Sequence, residues 1–254
     1  MKLLKAMAIA FSIYSKIPVP QFEWKEEDME YMMCFFPWIG GVIGMFFFGW
    51  AVLCEKFAVG NVCYALIGAA IPLMISGGFH VDGYMDTMDA FHSYQSREKK
   101  LEILKDSHIG AFAAIMLALY YMIDIAAISE IHTQKAVSAV AAVFFLARCF
   151  SGIAVMTLQP AKKEGLLYTF ASSAQKVRVK AALYFQTVLC VVLMLLVSGW
   201  YGAAAIGAAL LSFFYFKKKS YKELGGITGD TAGFFVTVCE AAAAAAVAVA
   251  GYFL

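Results

Sequence analysis

Charge is scarce in this chain. Only 15% of its 254 residues are charged, 62% are hydrophobic, and mean hydropathy is +0.74. A soluble domain carries about a quarter charged residues, so a water-soluble globule is excluded. Cysteine motifs are lacking as well. Cys34, Cys54, Cys63, Cys149, Cys190 and Cys239 lie in or beside apolar segments and none forms a CxxC pair. They read as small apolar packing residues, not as zinc or redox ligands. Lys2, Lys5 and Lys16 surround an apolar stretch with no small-residue cleavage site behind it, so no cleavable signal peptide is expected. The net charge of +2 says nothing about nucleic acid, because the distribution of charge matters more than its sum, and no nucleic-acid partner is expected.

Long apolar runs are what the chain has instead. Several reach about 20 residues, the length a helix needs to cross a bilayer. The expected fold is all-α, a polytopic transmembrane bundle forming one integral-membrane domain over residues 1–254. About seven spans are expected, near 34–54, 62–79, 111–129, 136–158, 179–198, 200–216 and 232–253. Residues 1–17 read as an interfacial or half-inserted helix ended by Pro18 and Pro20. Gly40, Gly41 and Gly44 permit close helix approach in the first span. With the 80–110 segment inside, seventeen of twenty Lys and Arg fall on one side. Lys56 and Lys135 fall on the other, and Arg148 within a span. That asymmetry places the loops at about 80–110, 159–180 and 217–230 on the cytoplasmic face, with the C-terminus outside.

The first of those loops stops being apolar. Asp82, Asp86 and Asp89 stand at spacings of four and three, within a ~60° arc on a helix. Three like charges on one stripe repel, and burial raises the cost. A hard divalent cation removes the conflict, and Mg²⁺ commonly binds a few carboxylates together with substrate phosphates. Ser96 is expected to cap a surface helix over 97–107, closed by Gly110, that carries Asp106 back as a candidate fourth ligand. A second polar island, Glu223–Thr231, holds Gly225, Gly226 and Gly229 before Asp230 and Thr231 open the last span. Glycines let backbone approach a ligand, and a helix N-terminus favours phosphate. Asp230 either caps that helix or binds metal. Arg148 lies mid-membrane, paired with Asp124 or clamping phosphate oxygens. His80 is a candidate general base. Lys105, Lys162 and Lys163 meet anionic substrate or serve topology. These residues alone fit a metal-assisted enzyme acting on a phosphate or diphosphate. Prenyl transfer, transfer from a nucleotide-activated donor, and hydrolysis all remain open. A transporter is disfavoured, because no inverted repeat is visible and the acids gather at one surface.

The motifs GGFHVDGYMDTMDAF, LEILKDSHIGAF, LARCF, PAKKEGL and LGGITGDTAGF resemble, in order, those of the cobalamin synthase family, the adenosylcobinamide-GDP ribazoletransferases. The resemblance runs from the SKIPVP segment to Glu240. It implies the last nucleotide-loop step of coenzyme B12 synthesis. A hydroxyl of α-ribazole, or of α-ribazole 5′-phosphate, would attack adenosylcobinamide-GDP and release GMP. It implies Mg²⁺ held by Asp82, Asp86, Asp89, Asp106 and Asp230, and catalysis by His80 with the aspartates. Substrate contacts fall on Lys105, Asp106, Arg148, Gly226, Thr228, Gly229 and Thr231. It also implies a prokaryotic inner membrane, contact with membrane lipid, and association as a homo-oligomer or with other late corrinoid-pathway enzymes. A CDP-alcohol phosphotransferase would carry Ala-Arg soon after Asp-Gly, where this chain has Tyr84, Met85, Asp86 and Thr87. A prenyltransferase would show a second aspartate-rich motif. The chain departs from the family at Lys16 and His108, where arginine is usual, and at Thr237, where an acid is frequent.

Overall fold

The computed structural model describes all residues except 1, 21, 22, 24, 163–173 and 254. Among the described residues the chain is helical without strands, with a single bridge between Pro160 and Ile227. Its α-helices are α1 (Lys2–Tyr14), α2 (Phe36–Lys56), α3 (Asn61–Ser76), α4 (Phe79–His92), α5 (Arg97–Ile103), α6 (Ala111–Ile128), α7 (Gln134–Thr157), α8 (Lys176–Ser198), α9 (Trp200–Leu224) and α10 (Gly229–Gly251). Much of the expected 159–180 loop, Lys163 and most of the PAKKEGL motif included, lies outside the described residues.

Burial orders the bundle. The apolar windows of α7 and α10 are 78% and 72% buried, while those of α6 and α8 are 22% buried. The first pair is therefore the centre, and the second presents its side chains to lipid. Small residues set the central contacts. A side chain on Gly40 or Gly44 of α2 would collide with the α7 backbone at Phe144 and Ala141, so the two helices touch main chain to main chain. Gly41, expected to share this task, meets only the Phe145 ring at an ordinary distance.

Among the described residues five helices, α2, α6, α7, α8 and α10, are long and apolar enough to cross a membrane, or up to six if the bent pair α3–α4 forms one span. The expectation of about seven is thus trimmed at two places. The first is α9, which has 25 residues but ends in Lys217, Lys218, Lys219 and Lys222. The second is α3, which stops at Ser76 because Gly77 and Gly78 take left-handed φ of 65° and 85°. The chain restarts as α4 at 97° to α3, so α4 lies across the lysine-rich end of the bundle. The 80–110 segment is therefore two helices, not a loop. Ser96 caps the second through Lys99 N–H, but α5 ends at Ile103, and Gly110 opens α6 instead of closing α5.

The N-terminal helix packs one face on the bundle and leaves the other exposed. Ala6, Ile9, Ala10 and Tyr14 are buried while Leu3, Leu4 and Met7 are exposed.

Candidate active site

Two glycines bring the acids together. A side chain on Gly83 of α4 would sit 2.8 Å from the Asp230 carbonyl oxygen, and one on Gly233 of α10 would sit 3.1 Å from that of His80. The two helices cross at backbone contact, which sets Asp82 against Asp230 although 148 residues separate them in sequence. A cavity of about 510 Å³ opens beside this crossing. Its polar lining includes His80, Asp82, Lys105, Lys162, Thr228, Gly229 and Asp230, and its apolar lining includes Tyr14, Met33 and Phe36.

Thr228, and not Asp230, caps α10. The Thr228 hydroxyl accepts from Thr231 N–H at 3.1 Å, and the Thr231 hydroxyl accepts from Thr228 N–H at 2.8 Å. This reciprocal cap satisfies the helix start without Asp230. The Asp230 carboxylate receives a 3.3 Å hydrogen bond from the Thr228 hydroxyl and lines the cavity. Thr231 itself is fully buried and serves the cap, and Gly226 packs on the Gln159–Ala161 backbone; neither lines the cavity.

The aspartate stripe divides. Asp89 accepts from Gly110 N–H at 2.7 Å and Ala113 N–H at 2.9 Å, so it caps α6. Asp86 is crowded. Burial, and after it the carboxylates of Asp82, Asp230 and Asp89, push its carboxyl up to about 7. Asp106 stays in water. It closes a turn on His108, accepting from that residue's backbone N–H at 3.0 Å and meeting its ring Nδ1 at 2.6 Å, and does not line the cavity. The expectation that α5 carries it back to the other acids is not met, because that helix stops three residues earlier.

No three acids, histidines or cysteines among the described residues already converge on one ion position. The donor set still fits Mg²⁺. That ion takes only one or two protein carboxylates alongside substrate phosphates and water, and Asp82 and Asp230 share one cavity with the crowded Asp86 one turn away.

His80 is buried, and neither ring nitrogen has a hydrogen-bond partner. Its ring stacks on Tyr14 at 6.1 Å between centroids with 5° between planes, and Phe36 lies 5.6 Å away. Burial and the nearby Arg148 both hold this imidazole neutral. Arg148 itself is 1% exposed and does not line the cavity. Its guanidinium bonds Glu240 at 2.6 Å and the Phe144 carbonyl at 2.8 Å. The partner is thus Glu240 and not Asp124, and the phosphate-clamp expectation gives way to a buried ion pair. Sequence reading also missed Tyr14 and Phe36. Nothing in their local pattern marks a site, because they reach it only through tertiary packing.

Fold and site together define a multi-pass membrane protein built around a reaction cavity lined by acids and lysines. The chain belongs to the cobalamin-5-phosphate synthase family, which matches residues 6–248. It is 44% identical to the adenosylcobinamide-GDP ribazoletransferase of Lachnoclostridium phytofermentans, over 98% of this chain and 95% of that protein. Proteins of the same name from Clostridium botulinum strains Eklund 17B and Alaska E43 are 33% and 30% identical, each over 94% of both chains. No solved structure matches. Family membership makes the chain a transferase of cobalamin biosynthesis.

Proposed function

We propose that the chain transfers the adenosylcobinamide phosphate group from adenosylcobinamide-GDP to α-ribazole 5′-phosphate or α-ribazole, releasing GMP. The observation that carries this reading is the meeting of Asp82 and Asp230 with His80, Lys105 and Lys162 around one cavity. The relatives' name supplies the donor and the ribazole acceptor.

The acceptor hydroxyl oxygen forms a bond to the phosphorus nearer cobinamide. The bond from that phosphorus to the bridging oxygen breaks, and GMP leaves with the electron pair. His80 is the base we assign to the hydroxyl proton. Its ring nitrogens are unpartnered and its imidazole is neutral, as proton acceptance requires. Lys105 and Lys162 face the diphosphate from the lining, and Gly229, whose N–H the Thr228–Thr231 cap does not use, offers a helix-start donor to a phosphate oxygen. Asp82, Asp230 and Asp86 are the residues that would hold Mg²⁺. When bound, the ion would neutralise charge on the diphosphate and on the departing GMP. Apolar Met33, Phe36 and Tyr14 exclude bulk water beneath, which limits hydrolysis of the donor.

We further assign the lysine-rich end of the bundle to the cytoplasm, on the charge asymmetry. Asp82→Asn and Asp230→Asn in detergent-purified protein test the site. Turnover should fall roughly a thousandfold, the scale of losing one electrostatic catalytic group, with the melting temperature kept. Turnover within a few-fold of the parent would exclude the scheme.

A further inference from the structure

A second cavity of about 520 Å³ lies behind the first. Both are lined by Phe79 and Asp82, so these two side chains form the partition between them. The rear cavity is built from the end of α1, the α3–α4 break and a side of α6, with Ser15, Lys16, Ser76, Gly77, Gly78 and Tyr121 among its lining.

Several features there suit an anion. The Lys16 main chain is anchored by its N–H on the Ile75 carbonyl at 2.8 Å. Its aliphatic stem occupies the space where a side chain on Gly77 would stand. That places a lysine over the helix break, and its ammonium makes no ion pair with a described residue. Ser76 is 6% exposed, and its hydroxyl lines the cavity without a hydrogen bond to any described residue. The α4 N-terminus beside them has no side-chain cap, because Gly78 occupies the cap position. A hydroxyl on a buried serine and a lysine ammonium, neither engaged by a described residue, together with uncapped helix N–H groups, are complementary to a phosphate. The volume lies in the ~300–1,000 Å³ range of small-molecule sites.

We propose that this rear cavity is the acceptor subsite, and that Lys16, Ser76 and the α4 N-terminus bind the 5′-phosphomonoester of the incoming nucleoside. The assignment rests on the transferase reading above and deepens it. Displacement at phosphorus requires nucleophile and leaving group roughly in line on opposite sides. Two cavities meeting at Asp82 provide two sides. The donor diphosphate occupies the front, and the acceptor hydroxyl reaches past Phe79 toward His80 from the rear.

The test compares α-ribazole 5′-phosphate with α-ribazole as acceptors for the parent, Lys16→Ala, Lys16→Arg and Ser76→Ala proteins. Lys16→Ala should raise KM for the phosphorylated acceptor roughly tenfold or more, the worth of one charge-assisted hydrogen bond. It should narrow the preference between the two acceptors and leave the donor KM within about twofold. Lys16→Arg should restore most of the loss, and Ser76→Ala should act in the same direction more weakly. Equal effects on both acceptors, or a shift in donor KM instead, would overturn the assignment. Equilibrium dialysis of α-ribazole 5′-phosphate alone against the parent and Lys16→Ala proteins reads the cavity without turnover. A parent that binds this ligand but releases no GMP would fault the reaction and not the subsite. A parent that turns over but loses no binding on Lys16→Ala would fault the subsite alone. A membrane phospholipid offers the same phosphate chemistry. The parent's acceptor KM should be similar in nanodiscs of phosphatidylcholine and of phosphatidylglycerol. A large rise with phosphatidylglycerol that Lys16→Ala abolishes would make the cavity a lipid site and refute the proposal.

Discussion

Asp82, Asp86 and Asp89 share one helical stripe, yet their surroundings give them three different tasks. Asp89 spends both oxygens on backbone N–H groups of α6. Its alanine variant should lose about 1 kcal/mol of stability, as for other helix caps, and keep turnover within about tenfold. Denaturation in detergent and steady-state assay check both halves. Asp86 should make stability depend on pH. Its folded value of about 7 exceeds the ordinary 3.8, so its contribution is complete below pH 4 and is lost as pH rises through 7. Without metal, the melting temperature should fall between pH 6 and pH 8. Mg²⁺ should raise it more at pH 8 than at pH 6, and Asp86→Asn should flatten the profile. A profile unchanged in that variant would show that another group titrates. The spacing of this stripe was legible in the sequence. The diversion of Asp89 was not, because its partners lie twenty-one and twenty-four residues away at a helix start that no periodicity marks.

At the scale of elements, the site depends on α4 crossing α10 at Gly83 and Gly233. Gly83→Val should push the two helices apart and abolish turnover while the apolar core of α2, α7 and α10 stays folded. Circular dichroism with the GMP assay separates the two effects. The chain revealed its helices through long apolar runs, and the polar aspartate stretch stood out against them. It hid the right-angle break, since Gly77-Gly78 is as compatible with a loop as with two left-handed residues joining helices. It also hid the Arg148–Glu240 pair, because residues 92 apart meet only once α7 and α10 pack. Arg148→Met should destabilise the bundle by about 3–5 kcal/mol by leaving a buried carboxylate alone. Adding Glu240→Leu should recover much of it, because an apolar pair can replace a buried ion pair. Thermal unfolding of the single and double variants in one detergent decides this.

Across the whole molecule, lysines collect at one end and the site opens there, so the orientation of the bundle fixes where substrates must arrive. Cys63 is exposed near the start of α3, at the opposite end. A membrane-impermeant maleimide should label it on intact cells and fail to do so in sealed inside-out vesicles. The family motifs make the reaction legible in the sequence itself, since they run through both acid-bearing segments. What they could not convey is the depth of the site. Its floor comes from Tyr14, Met33 and Phe36, which contribute no motif. The central claim is that this cavity carries out metal-dependent transfer from a nucleotide-activated corrinoid. The most direct measurement gives detergent-purified protein adenosylcobinamide-GDP and α-ribazole 5′-phosphate, with Mg²⁺ or with EDTA, and quantifies both products. Cobalamin 5′-phosphate and GMP should appear in equal amounts with Mg²⁺ and disappear with EDTA. Equal turnover in EDTA, or GMP released without the joined corrinoid, would contradict the account.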